Sequence, residues 1–257
     1  MNFKTIDFSK FSSIRIGPIV DVAVIENDFI PEGHIIVGSA NNLLVSPTPP
    51  PLMILSKEYD FIRIEENRLI IGAATPGGRV VSFCKKNDIA HFEYLSKLPG
   101  TIGGMLKMNA GLKEYEIFNH LIAIRTSKGW IPKEEVDYGY RNTSIRDVVF
   151  EASFHLEKGF SFERLEMFAQ MRSNQPSDPS AGSCFKNPSG DYAGRLIEAV
   201  GLKGKRIGAM AFSEVHANFL VNTGGGRYED ALSLIREAQQ RVKAQFGIDL
   251  QCEVVII

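Results

Sequence analysis

Short β-rich runs open the chain, and one-faced helical spacing closes it. Residues 20–26, 34–38 and 52–56 are apolar stretches bounded by Gly, Pro, Asn or Asp, which predicts three strands. The Pro47-Thr48-Pro49-Pro50-Pro51 stretch continues neither a helix nor a central strand, so it reads as a stiff connector closing a first lobe. Residues 61–65 and 69–73 predict a hairpin turning at Glu66-Asn67-Arg68. Thr75-Pro76 then supplies an N-cap and a proline at the first helical position, predicting a helix to about Asn87. Strands are expected at 121–126 and 148–156, the latter alternating Phe150, Ala152, Phe154 and Leu156 with more polar neighbours. Past Gly159 the period changes. Ser161 is a cap for a helix carrying Leu165, Phe168 and Met171, and Asp191 a cap for Leu196, Ile197 and Val200. The clearest helix spans about 228–246, with Ala231, Ile235, Ala238 and Val242 on one stripe and Gly247 as its stop. Strands at 217–222 and 250–257 frame it. The pattern predicts an α+β chain with spans 1–55, 56–158 and 159–257, without internal repeats.

At 257 residues the chain has room for a large core and a cleft between lobes. Its 29 basic and 30 acidic residues set up no global field for nucleic acid or anionic lipid, so an anionic ligand must be held by local charge. The three cysteines, Cys84, Cys184 and Cys252, are distant and form no CxxC, which argues against a disulfide framework or a zinc site and leaves the metal complement at none. No apolar run has the length of a membrane span, and the N-terminus lacks a signal-peptide block. A soluble protein of the reducing cytoplasm, with no membrane or nucleic-acid partner, is expected.

Candidate chemistry gathers in small-residue segments. Pro179-Ser180-Ala181-Gly182-Ser183-Cys184-Phe185-Lys186-Asn187-Pro188 sets a hydroxyl, a cation and an amide among residues that let a backbone approach a ligand closely. Pro99-Gly100-Thr101-Ile102-Gly103-Gly104, followed by Asn109-Ala110-Gly111, exposes backbone N–H groups able to cradle a pyrophosphate or a ring carbonyl. It is neither a Walker loop nor a GxGxxG turn. Gly38-Ser39-Ala40-Asn41-Asn42-Leu43-Leu44 is a third such segment. Taken singly, each is equally a packed turn.

In register with the Tyr140-Arg141 pair, with Lys203-Gly204-Lys205-Arg206-Ile207-Gly208 and with Glu253 near the C-terminus, these segments resemble the UDP-N-acetylenolpyruvoylglucosamine reductase (MurB) family, in its shorter type II form. The resemblance runs from about Ser12 to the end. It implies two N-terminal α/β subdomains forming a PCMH-type unit for non-covalent FAD, a small C-terminal α+β substrate domain, NADPH as hydride source, and a UDP-linked enolpyruvyl sugar as substrate of a monomeric enzyme of peptidoglycan precursor synthesis.

By the same resemblance, Ser183 is the proton donor, Arg141 grips the carboxylate and stabilises the enolate, and Glu253 assists there; folding must bring all three around one bound flavin. Gly38, Ser39, Ala40, Asn41, Asn42, Leu43, Gly100, Thr101, Gly103, Gly104, Asn109 and Gly111 bind FAD, and Tyr140, Lys186 and Asn187 bind substrate. His216 and Asn218 read as scaffold, and Cys184 as packing. The chain departs from the family pattern in its first flavin loop, usually Gly-Gly-Gly-Ser-Asn-Leu-Leu: two glycines are missing, which restricts positive-φ conformations. Tyr140-Arg141-Asn142-Thr143 replaces Tyr-Arg-x-Ser and keeps the hydroxyl. Two other readings stay open: another flavin oxidoreductase acting on a sugar or hydroxy acid, and a non-catalytic nucleotide-binding protein.

Overall fold

The computed structural model describes residues 1–257. Contact within the chain groups it into two compact units, and neither is continuous in sequence. The first comprises Met1–Lys4, Val22–Ser39 and Pro51–Ser173; the second comprises Thr5–Asp21, Ala40–Pro50 and Asn174–Ile257. The consecutive spans 1–55, 56–158 and 159–257 group the same residues differently. One cause is a non-local pairing: Leu43–Leu44 runs parallel to Val255–Ile256, with Leu43 opposite Val255. Parallel neighbours need a long crossover, and hydropathy period carries no trace of such a partner.

In the first unit a five-stranded antiparallel sheet runs Gly129–Pro132, Leu121–Thr126, Glu151–His155, Arg68–Gly72, Ile62–Glu65. The predicted hairpin is present and tighter than expected. Glu65 pairs with Arg68, so Arg68 opens the second strand and Glu66 turns the chain at φ +53°. Phe92, Phe118, Phe154 and Phe168 are buried together, with Val80, Val81 and Cys84 of the helix Gly77–Lys86 in the same core. That helix starts differently from the prediction. Pro76 is its N-cap, with no side-chain cap bond. Thr75 is fully buried, and its hydroxyl donates instead to the Phe61 carbonyl (3.0 Å), because a buried polar group goes where it finds a partner. Ser161 does cap Phe162–Met171, accepting from the Arg164 N–H. A smaller parallel set joins Ala23, Val24 and Ile25 to Met53, Ile54 and Leu55, with Ile35–Ile36 on the other side.

In the second unit an antiparallel sheet runs Ser180–Ser183, Phe219–Asn222, Met210–Phe212, Arg206–Ile207. The helix Tyr228–Phe246 buries Ala231, Leu234, Ile235, Ala238 and Val242, the stripe that sequence spacing marks, and ends at Gly247 with φ +71°. Of the strand expected over 250–257, only Val255–Ile256 is regular, while Cys252 makes an isolated bridge to Phe185. Asp191 does not cap Ala193–Ala199. Its carboxylate is engaged by Arg195 one turn on and by the Tyr192 N–H, which together hold it down at about 2, and the Ala193 N–H bonds to Asn187 Oδ1 instead (3.0 Å). Overall the chain is a mixed helix-and-strand protein.

Gly72 marks a close approach that a side chain would block. A Cβ there would lie 2.0 Å from the Tyr59 carbonyl oxygen, while the Gly72 N–H donates to Phe61. Gly72→Ala is expected to lower the unfolding free energy by about 1–3 kcal/mol, the range for overpacking a tight site, read as a lower urea midpoint at constant slope. An unchanged midpoint would mean that this approach is not close.

Candidate active site

The second unit brings Ser183 and Glu253 into neighbouring segments. Ser180–Ser183 reaches Phe219–Asn222 with Ser180 opposite Val221 and Ser183 opposite Phe219, and the register shifts between them at Gly182, whose φ is +78°. Beyond Ser183 the chain leaves the sheet but stays pinned. The Cys184 N–H donates to the Asn218 carbonyl (2.7 Å), and the Cys184 carbonyl accepts from the N–H groups of Glu253 (2.9 Å) and Val254 (3.3 Å). Lys186 N–H donates to the Gln251 carbonyl (2.9 Å). Ser183 and Glu253 are therefore each covalently or hydrogen-bonded to Cys184, and both are half-buried.

Buried asparagines lock this arrangement. Asn218, 3% exposed, accepts from the Phe185 N–H (3.0 Å) and donates to the Phe185 carbonyl (2.8 Å), replacing a strand ladder where the backbone is irregular. Its own N–H donates to His216 Nδ1 (3.2 Å), which places the ring proton on Nε2, and burial pushes the His216 pKa down. Both residues are scaffold here. The Cys184 thiol is pushed well above its ordinary value by burial, with Cys252 and Glu253 adding to the effect. It stays protonated and packs.

The 38–44 segment divides between the units, Gly38 and Ser39 in the first and Ala40 onward in the second. Asn42 Nδ2 donates to the Glu253 carbonyl (2.9 Å), and the Val255 N–H donates to the Asn42 carbonyl (2.9 Å). Asn42 and Leu43 thus lie beside the segment that carries Glu253. Ser13 holds the loop from outside, its N–H on the Ala40 carbonyl and its hydroxyl on the Asn41 carbonyl. Ala40 takes φ +51°, so the loop adopts a left-handed residue although the glycine that would do so without strain is absent.

In the first unit, Gly38 approaches Thr101 so closely that a Cβ on it would lie 2.8 Å from Thr101 Oγ1. The 100–104 segment is fixed against 73–77: Gly103 N–H donates to Ala73, Ile102 N–H to Thr75, and Gly77 N–H to Gly100. Gly103 is needed for packing, since its Cβ would sit 3.0 Å from that of Ala73. Gly104 is exposed, and a Cβ there would meet only Thr101 Oγ1, at 3.7 Å. Gly38 and Gly104 are exposed and carry no side chain, with the Thr101 hydroxyl beside Gly38, which fits a cofactor held mainly by main-chain atoms.

Arg141 sits in the two-residue turn between Tyr138–Gly139 and Asn142–Thr143, at φ +53°. Its guanidinium donates to the carbonyls of Gly111 (2.8 Å) and Asn109 (3.4 Å) and lies 5.2 Å from the centre of the exposed Tyr140 ring. Asn109 is fully buried. Its amide donates to Glu116 Oε2 (2.6 Å) and the Gly139 carbonyl (3.2 Å). Asn109 and Gly111 therefore orient Arg141. Glu116 was missed by sequence reasoning; nothing in its local spacing distinguishes it from an ordinary surface residue. Asn187 commits its side-chain carbonyl oxygen to the Ala193 N–H. Arg141 belongs to the first unit, and Ser183 and Glu253 to the second.

Comparison with known proteins extends over the whole chain. Residues 175–257 match the family described as UDP-N-acetylenolpyruvoylglucosamine reductase, C-terminal domain. The UDP-N-acetylenolpyruvoylglucosamine reductase of Helicobacter hepaticus is 45% identical over 262 residues, covering 100% of both chains. That of Campylobacter jejuni strain RM1221 is 47% identical over 257 residues, covering 98% of this chain and 99% of the relative. Among solved structures, the UDP-N-acetylenolpyruvylglucosamine reductase (MurB) of Thermus caldophilus superposes with a TM-score of 0.87 at 28% identity, covering 100% of this chain and 99% of that one. With identity of this level sustained from end to end and the same fold, the chain belongs to the UDP-N-acetylenolpyruvoylglucosamine reductase (MurB) family.

Proposed function

We propose that the protein is an NADPH-dependent FAD enzyme that reduces the enolpyruvyl group of UDP-N-acetylglucosamine enolpyruvate, giving UDP-N-acetylmuramate for peptidoglycan. The observation that carries this reading is full-length family membership. The family's FAD-binding fold is of the PCMH type. Gly38, Thr101 and Gly104 would hold the cofactor through the main chain, joined by Ser39 and the 40–43 segment. Bound FAD would supply the redox centre that takes hydride from NADPH and passes it on. The substrate is a soluble nucleotide sugar, which suits a monomer in the cytoplasm, and no helix is long and apolar enough to cross a membrane.

Hydride addition at the vinyl CH2 leaves negative charge on the neighbouring carbon, spread into its carboxylate. The residues must stabilise that charge and return one proton to the carbon. Arg141 is permanently charged and offers two parallel donors to a carboxylate. Two backbone carbonyls already orient its guanidinium, so little rotamer freedom is lost on binding. Ser183 Oγ gives its proton to the carbon, which is feasible because the carbanion is a far stronger base than the seryl alkoxide left behind, and that alkoxide regains its proton from water. Glu253, on the segment pinned to Cys184, assists at the enolate or in its protonation. Lys186 lies along the diphosphate. Asn187, with its carbonyl oxygen engaged in the structure, offers its amide N–H groups to the uridine.

Ser183→Ala is expected to leave NADPH reduction of the flavin within a few-fold of wild type and to slow reoxidation by the enolpyruvyl nucleotide by about 10²–10⁴-fold. Anaerobic stopped-flow absorbance separates the two half-reactions, and equal losses in both would remove Ser183 from proton delivery. Arg141→Lys keeps the charge but cannot keep the fork. It is expected to lose about 10²-fold or more in the second half-reaction. Wild-type turnover in that variant would exclude the arginine.

A further inference from the structure

Three side chains outside the proposed reaction converge on the surface of the first unit. His91, His120 and Glu157 each place a ligand-capable atom within 4.8 Å of the other two. His91 Nε2 lies 2.8 Å from Glu157 Oε2, and the imidazoles of His91 and His120 stack at 3.9 Å between centroids, 14° from parallel. We propose that His91, His120 and Glu157 form a binding site for one divalent transition-metal ion of the zinc, cobalt or nickel class.

Rigid backbone brings the three together. The Ala90 N–H donates to the Glu157 carbonyl (2.9 Å), and Ile89 bridges Lys158, so the segments carrying His91 and Glu157 are paired directly. His120 immediately precedes Leu121–Thr126, whose Leu121 stands opposite Phe154 of Glu151–His155, the strand that leads to Glu157. His91 itself is held at φ +76°, a region that non-glycine residues seldom occupy and that is retained when surrounding structure over-determines it.

The donor set selects the ion. Two imidazoles and one carboxylate suit zinc and its first-row neighbours, whereas calcium and magnesium ask for oxygen alone. Bonds of about 2.0–2.2 Å require donors drawn closer than the widest separation here. Stacked rings also direct their lone pairs side by side, so one imidazole must turn about its side-chain torsions to meet the metal. Both histidines are half-buried and Glu157 is exposed, which leaves room for that turn at the surface. Glu157 exchanges its bond to His91 for one to the ion. Three protein ligands leave a fourth position to water. Lys133 also lies near His120, and its charge opposes a cation there. An ion there ties three chain segments of the first unit and binds the folded state alone, which raises its stability.

The test uses the full-length, chelator-treated protein titrated with Co2+ and then Zn2+, read by visible ligand-field absorption and by thermal midpoint. One Co2+ per chain is expected, displaced by Zn2+, with a rise in midpoint for either ion. His91→Ala, His120→Ala and Glu157→Gln are each expected to weaken binding at least tenfold, since losing a direct ligand costs no less than the roughly 10–100-fold typical of losing an outer-shell partner. His34→Ala, at a histidine outside the cluster, is expected to leave it unchanged. Circular dichroism of metal-free variants checks folding, and if a histidine variant does not fold, the near-isosteric surface change Glu157→Gln decides. No stoichiometric uptake by wild type, or equal affinity in Glu157→Gln or His120→Ala, overturns the proposal.

Discussion

One carbonyl in the second unit joins the Ser183 segment to the Glu253 segment. The Cys184 oxygen accepts the amide protons of both Glu253 and Val254, and Lys186 returns a bond to Gln251. Other contacts hold the C-terminal tail elsewhere: the parallel pairing of Val255–Ile256 with Leu43–Leu44, the Asn42 amide on the Glu253 carbonyl, the Gln239 amide on the Leu250 carbonyl, the Ser46 N–H on the Ile257 carbonyl, and the burial of Leu250 and Val254 in the core. At Cys184, a hydroxyl and a carboxylate that chemistry would pair are fixed by main-chain atoms of adjacent residues. The backbone positions of Ser183 and Glu253 therefore depend on fold stability. Such backing keeps a reactive group in place while it exchanges partners.

Asparagine serves repeatedly where regular secondary structure lapses. Asn218 closes both polar groups of Phe185, Asn109 ties Glu116 to the Gly139 turn, and Asn222 joins the carbonyls of Ile14 and Arg15 to the N–H groups of Gly224 and Gly226. All three are buried. An amide donates and accepts at once through separate atoms arranged like those of a peptide, so it can stand in for a missing peptide neighbour where a carboxylate, which only accepts, cannot. These irregular stretches are also where ligands need bare backbone.

Periodicity made the local elements legible. The stripe through Tyr228–Phe246, the hairpin before Gly72 and the Ser161 cap follow from residue spacing because their stabilising contacts are close in sequence. Competition for hydrogen bonds was not legible. Thr75 gives its hydroxyl to Phe61, and Asn187 takes the capping role that Asp191 could have filled, because buried or geometrically favoured partners outbid the local pattern. Motif order pointed to Ser183, Arg141 and Glu253, yet the pinning of Glu253 by Cys184 arises from tertiary contact that no window of sequence reveals. The His91, His120 and Glu157 cluster is hidden for the same reason. Its members share no compact spacing and meet only through strand pairing.

Native-state amide hydrogen exchange tests the clasp most directly, since it reads the two donors that the account places on Cys184 and Gln251. The Glu253 and Lys186 amides are expected to exchange slowly and to open together with the core strand Phe219–Asn222, as members of one cooperative unit. Exchange of either amide at the rate of an unstructured chain, while Phe219–Asn222 stays protected, would contradict the account.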